Sequence, residues 1–145
     1  DAGDVIEALV GLGVDNALDE HTIEVEEEAR LAGWRDDIEA TFSHGSWADI
    51  DAALDAHGNQ EFVQEVRALM AKGSPSATVA TAELYAANRS AADLRAGLDN
   101  EERLGELLRR QPDFLEGVRA VLIDKTQDAE FTPAHEPAVY REVLR

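Results

Sequence analysis

Apolar residues in this chain return at steps of three and four almost from end to end, while strict apolar–polar alternation is found almost nowhere. That spacing commits the chain to amphipathic helices and leaves little sequence from which to build a sheet. Leu31, Trp34, Ile38 and Phe42 form one stripe, Phe62, Val66, Leu69 and Met70 a second, and Leu94, Leu98, Leu104, Leu107 and Leu108 the longest. Punctuation falls between them. Gly45 closes the first stripe, and Ser46 stands ready to cap a helix that buries Trp47, Ile50 and Leu54. The turn His57-Gly58-Asn59 sets Asn59 as the next cap. Gly73-Ser74-Pro75 ends one helix and opens another, with proline at the first helical position, where its missing N–H costs nothing. That helix runs to about Ala87. Ser90-Ala91-Ala92-Asp93 reads as a capping-box start for the long leucine helix, which ends at Arg109-Arg110. Pro112 breaks the chain, a short helix follows through Phe114, Val118, Val121 and Leu122, and Pro137–Arg145 has room for a last turn or two. At the front, Val5, Ile6, Leu9 and Val10 make a short stripe that stops at Gly11 and Gly13. The acidic stretch behind it, with Glu24–Glu28 reading EVEEE, is expected to be solvated. The sum is an all-α chain of about seven helices with no sheet.

Composition narrows the function classes. With 145 residues, of which 44% are hydrophobic and only 6% aromatic, the chain can close one modest helical core. A net charge of −18 repels nucleic acid and anionic membrane surfaces alike. The absence of cysteine rules out disulfides and thiolate metal sites. No apolar run reaches membrane-spanning length and no secretory signal is visible, which makes the cytoplasm the expected compartment. The chain starts at Asp1 and its only methionine is Met70, so we expect that it was cut at its front.

The residues offer few candidates for chemistry. His21, His44, His57 and His135 show no metal-ligand spacing and are expected in loops or on the surface, so no metal is expected. The serines lack a nucleophile elbow, and Gly11 and Gly13 make no phosphate loop. Glu116 falls in the first turn of a helix, where the dipole favours a negative charge. Lys125 and Phe131 are more informative. A lysine and an aromatic a few residues apart can hold a phosphate and stack an adenine ring. The same pair serves equally as a surface ion pair and an aromatic that anchors the tail, and the residues alone leave both open. Arg119, on the preceding helix, can anchor the Asp124-Lys125 turn or reach a phosphate.

Three blocks then point to one family. They are DFLEGVRAVLIDKTQDAEF at Asp113–Phe131, KGSPSATVATAEL at Lys72–Leu84 and NEERLGELLRRQPDFLEG at Asn100–Gly117. In this order they resemble the C-terminal part of the 3-hydroxyisobutyryl-CoA hydrolase family, a branch of the crotonase (enoyl-CoA hydratase/isomerase) superfamily. The resemblance is close over residues 72–131 and thin over residues 1–57. It implies that residues 1–58 correspond to the helical insertion of the hydrolase branch and residues 59–145 to the C-terminal helical region of a crotonase fold, a β-β-α spiral whose core is absent from this sequence. It implies an acyl-CoA substrate, which itself carries the coenzyme A, and no separate cofactor. It further implies a crotonase core as partner, a homo-oligomer, and a role in valine breakdown. Family members work with a glycine-rich oxyanion segment and a Pro-Glu motif. Neither occurs here, so no catalytic residue is carried over and the chain alone is expected to be inactive. Lys125 and Phe131 match the positions that approach the nucleotide end of CoA, with Lys72 and Arg119 as further candidates for contact. An enoyl-CoA hydratase relative and a non-catalytic acidic helical interaction module are the alternatives. Left alone, the Leu94–Leu108 and Val118–Ile123 faces would be exposed and apolar.

Overall fold

The caps legible in the sequence start helices where they stand. In the computed structural model, which describes residues 2–22 and 29–145, Ser46 accepts a hydrogen bond from the Asp49 N–H at 3.2 Å, Asn59 from Phe62 N–H at 3.2 Å and Ser74 from Ala77 N–H at 3.2 Å. Each satisfies one of the N–H groups that a helix start leaves open. Ten α-helices and no strand occur among the described residues.

The chain divides into two compact units, Asp1–Gly33 and Trp34–Arg145. In the first, α1 (Ala2–Leu12) and α2 (Val14–His21) pack against each other about Gly13, whose φ of 84° suits a residue without a Cβ. Among its described residues small Ala8 and Ala17 are buried, whereas Ile6, Val10, Leu12, Val14 and Leu18 are exposed. α3 (Arg30–Gly33) is a single turn. The acidic run at Glu24–Glu28 lies outside the described residues.

The second unit holds α4 (Arg35–Phe42), α5 (Trp47–Ala56), α6 (Gln60–Met70), α7 (Pro75–Arg89), α8 (Leu94–Arg109), α9 (Pro112–Val118), a π turn over Arg119–Ile123, and α10 (Pro137–Arg141). Ile50, Leu54 and Phe62 form one buried cluster; Val79, Ala80, Leu104 and Tyr140 form another. Trp47 packs against both. Burying a side chain the size of Phe62 or Leu54 contributes about 1.5–3 kcal/mol, so these clusters are the main cohesive element. Polar contacts fasten the tail. Buried Glu83 on α7 receives the Arg141 guanidinium at 2.7 Å. Buried Asn100 on α8 donates to the Arg145 carbonyl at 3.0 Å and accepts from its N–H at 2.9 Å.

Several elements differ from the sequence expectation. The stripe from Leu31 to Phe42 is not one helix. It breaks at Trp34 (φ −104°, ψ 12°), after the weak helix former Gly33, and the indole packs edge-on against Phe62 at 5.6 Å between centroids. Asp93, not Ser90, caps α8, accepting from Ala96 N–H at 2.8 Å, while Ser90 closes α7. Pro112 takes the first position of α9 as well as ending what precedes it. The short helix beyond it widens into the π turn at Arg119. The division at residue 58, drawn from family resemblance, concerns a different kind of boundary and stays a proposal. No helix among the described residues is long and apolar enough to cross a membrane.

Candidate functional site

α9 places two acids one turn apart, and each is used. Asp113 is buried, and one carboxylate oxygen accepts the Ser74 hydroxyl from the start of α7. The other accepts the Thr132 N–H at 3.0 Å and the Thr132 hydroxyl at 2.9 Å. Burial pushes this carboxyl up, but the bonds from Ser74 and Thr132, with His135 nearby, outweigh it and hold it below its ordinary value. Glu116 receives the Arg119 guanidinium through Nε at 2.9 Å and Nη2 at 2.8 Å, and the Glu130 N–H at 2.9 Å. These donors, Arg119 first, pull the Glu116 carboxyl down to about 2. Arg119 also donates to Asp124 and, at 3.2 Å, to Asp128. Its charge is therefore shared among three carboxylates, and its own pKa is raised, chiefly by Glu116.

The segment these groups hold is 124–132. The Asp124 N–H closes the π turn on the Arg119 carbonyl at 2.8 Å, and the Gln127 N–H bonds the Ala120 carbonyl at 3.0 Å. Lys125 (φ 58°) and Gln127 (φ 55°) both sit in the left-handed region without being glycine. Each costs on the order of 1 kcal/mol and persists because the surrounding bonds over-determine it. Lys125 and Lys72, the two lysines of the chain, are exposed, and neither has an ion-pair partner among the described residues.

Phe131 is half-buried at the wall of a groove of about 510 Å³ that Phe114, Gly117, Val118, Val121 and Leu122 also line. Its ring lies across Gly117, where an added Cβ would be 3.8 Å from Cε1, in ordinary contact. Val121 and Leu122 of its lining are exposed, as are their neighbours Leu115 and Ile123. A second cavity, of about 630 Å³, opens between the α4–α5 turn, α6 and α7, with Phe42, Trp47, Met70 and Tyr85 on its walls and His44 and Arg89 among its polar residues. Ser74 and Ala77 line both.

Of the candidates named from the sequence, Arg119, Lys125 and Phe131 belong to one hydrogen-bonded loop. Lys72 enters from another segment, two residues before Ser74, and is linked to that loop through Ser74, Asp113 and Thr132. Asp113 and Thr132 escaped the sequence reading. The one available signal was an acid just behind Pro112 at a helix start. His57 has a structural setting: its Nε2 lies 2.7 Å from Asp37 Oδ1, and its ring packs edge-on against Phe62. Asn59 donates to the other Asp37 oxygen at 2.8 Å, and the His57 bond is the main cause of the lowered Asp37 pKa. Among the described residues no group of three His, Asp or Glu side chains is arranged to hold a metal ion.

Comparison with known proteins places this geometry in a lineage. The chain is similar to the 3-hydroxyisobutyryl-CoA hydrolase, mitochondrial, of Dictyostelium discoideum, at 30% identity over 67% of the chain and 26% of the relative. It is similar to the protein of the same name from Xenopus tropicalis at 33% identity, over 71% of the chain and 26% of the relative. To that from Homo sapiens it is similar at 29% identity, over 90% of the chain and 33% of the relative. The chain thus spans about a quarter to a third of the length of the curated relatives it matches. No solved structure gives a significant match. The family match itself runs over residues 3–145, nearly the whole chain, and on that ground the chain belongs to the enoyl-CoA hydratase/isomerase family as one of its helical parts.

Proposed function

We propose that this chain is the helical brace of an acyl-CoA thioester hydrolase acting on 3-hydroxyisobutyryl-CoA, with water as co-substrate and 3-hydroxyisobutyrate and free CoA as products. The observation that carries the reading is the shared hydrolase name of the three relatives, at 29–33% identity. In it, the backbone N–H groups that stabilise the thioester oxyanion and the carboxylate that works on water or on the acyl group belong to a crotonase core. This chain supplies the nucleotide end of the site. The unpaired ammonium of Lys125, fixed on a braced turn, meets a CoA phosphate, and Phe131 offers its ring to the adenine. Lys72, two residues before the groove-lining Ser74, is read as a second cation for the same ligand, and Arg119 keeps the loop in place. Two exposed lysines in a chain of net charge −18 matter because a polyanion approaches only where positive charge is local. The assembly is read as a homo-oligomer, and the compartment as the cytoplasm; cell fractionation tests the latter, since the three relatives are each named mitochondrial.

The test is an assay of the full product of the gene that carries this chain. Release of thiol from 3-hydroxyisobutyryl-CoA is the expected result. Hydration of crotonyl-CoA without thiol release would instead assign the hydratase branch. Activity on neither would return the chain to the class of non-catalytic interaction modules.

A further inference from the structure

We infer that Asp113 is a positioning residue for substrate recognition: together with Glu116 it seats Phe131, and so sets how well the nucleotide end of the substrate is held. This rests on the reading that Phe131 and Lys125 meet that end of CoA. The argument lies in the backbone on either side of the ring. Glu130 N–H is bonded to Glu116 and Thr132 N–H to Asp113, so Phe131 is pinned through both neighbours to acids one helical turn apart. The ring then rests on Gly117, on the same turn of α9. An acid in the first turn of a helix needs no burial to favour the dipole. Asp113 is buried, and its three hydrogen-bond donors, one from Ser74 and two from Thr132, all come from outside α9. Ser74 extends the link to the start of α7, whose residues line both cavities, so the carboxylate joins three segments at one point. Groups held this way keep the ring in a single place before substrate arrives, which is what orientation of a remote substrate portion requires.

Steady-state kinetics of the full gene product test this with two substrates: 3-hydroxyisobutyryl-CoA, and the S-acyl pantetheine ester, which has the same reacting group and no nucleotide. Asp113→Ala should raise KM for the CoA ester on the order of tenfold with kcat nearly unchanged, and leave the pantetheine ester unaffected. Asp113→Asn, which keeps an oxygen for Thr132, should recover most of the loss. Thr132→Val, a change at an exposed site that removes one bond only, should raise KM about threefold, and Thr132→Ser should restore it. Thr132→Val decides the matter if Asp113→Ala fails to fold. Equal losses on both esters would show a merely structural role and overturn the inference. So would silence of Asp113→Ala and Thr132→Val where Phe131→Ala impairs the CoA ester. If Phe131→Ala and Lys125→Ala are themselves silent, the contact with the nucleotide fails, and the positioning role falls with it.

Discussion

At the scale of single residues, the loop is organised by carboxylates, and the buried one finds its partners far away in sequence. Asp113 meets Ser74 across 39 residues and Thr132 across 19. No local pattern encodes such pairs, so Lys125 and Phe131 were nameable by resemblance while the acid that seats Phe131 was not. The left-handed Lys125 was equally hidden, because lysine carries no signal for positive φ. Glu116 gives this scale a test. Its carboxyl is drawn from about 4.5 to about 2 by Arg119 and the Glu130 N–H. A carboxyl with a depressed folded-state pKa stabilises at pH values above its unfolded pKa, and that contribution fades as pH falls through the folded one. The clasp should therefore be intact above about pH 4.5 and lost progressively towards pH 2. Hydrogen exchange of residues 124–132 in the intact protein, corrected for intrinsic rates, should show protection falling over that window. Glu116→Gln should show weaker protection at neutral pH and a smaller further loss on acidification, the remainder coming from Asp113 and Asp128, whose carboxyls are also held below their ordinary value. An unchanged wild-type profile down to pH 2 would remove the clasp.

At the scale of elements, most boundaries were legible because capping is local chemistry: Ser46, Asn59 and Ser74 with Pro75 each start a helix within four residues of themselves. What escaped was set by competition. Asp93 displaced Ser90 as the cap of α8, and the π turn, Arg119–Ile123, contains no glycine or proline to announce it. α10, five residues long, is too short to stand on its own turns and owes its stability to what it is fastened to. Tyr140 is fully buried with Val79, Ala80 and Leu104, yet its hydroxyl has no hydrogen-bond partner among the described residues. These two facts predict opposite responses at one position. Tyr140→Ala should cost about 3–5 kcal/mol through lost burial and a cavity. Tyr140→Phe should cost nothing and gain up to about 1 kcal/mol, since the unsatisfied hydroxyl is removed at constant shape. Denaturant midpoints of the two variants against the parent decide it, and a loss of stability in Tyr140→Phe would reveal a partner for the hydroxyl.

At the scale of the whole molecule, the sequence identified helices that needed cover but not which parts of them would find it within the chain. Leu104 of the leucine stripe turned inward, whereas Leu94 and Leu98 remain exposed. On α9 and the π turn, Phe114, Leu115, Val121, Leu122 and Ile123 are all exposed, and three of them, Phe114, Val121 and Leu122, share the groove wall with Phe131. An apolar surface of this extent on a chain of net charge −18 is unusual, because the surrounding charge does nothing to reduce the cost of wetting it. If a crotonase core covers it, one substitution should act in opposite directions in two settings. Leu122→Glu lies at a site 66% exposed, so in the 145-residue chain alone it should leave helicity intact and reduce both self-association and binding of an apolar dye. In the full gene product the same side chain would be lost from a buried seam. The substitution should then lower stability by about 2 kcal/mol, the scale of burying one leucine, and speed proteolytic release of the helical part. Light scattering and dye fluorescence read the first effect, and denaturant midpoints with limited proteolysis the second. A full-length protein indifferent to Leu122→Glu would mean that this face meets solvent, and the bracing role of the helices would have to be carried by some other surface.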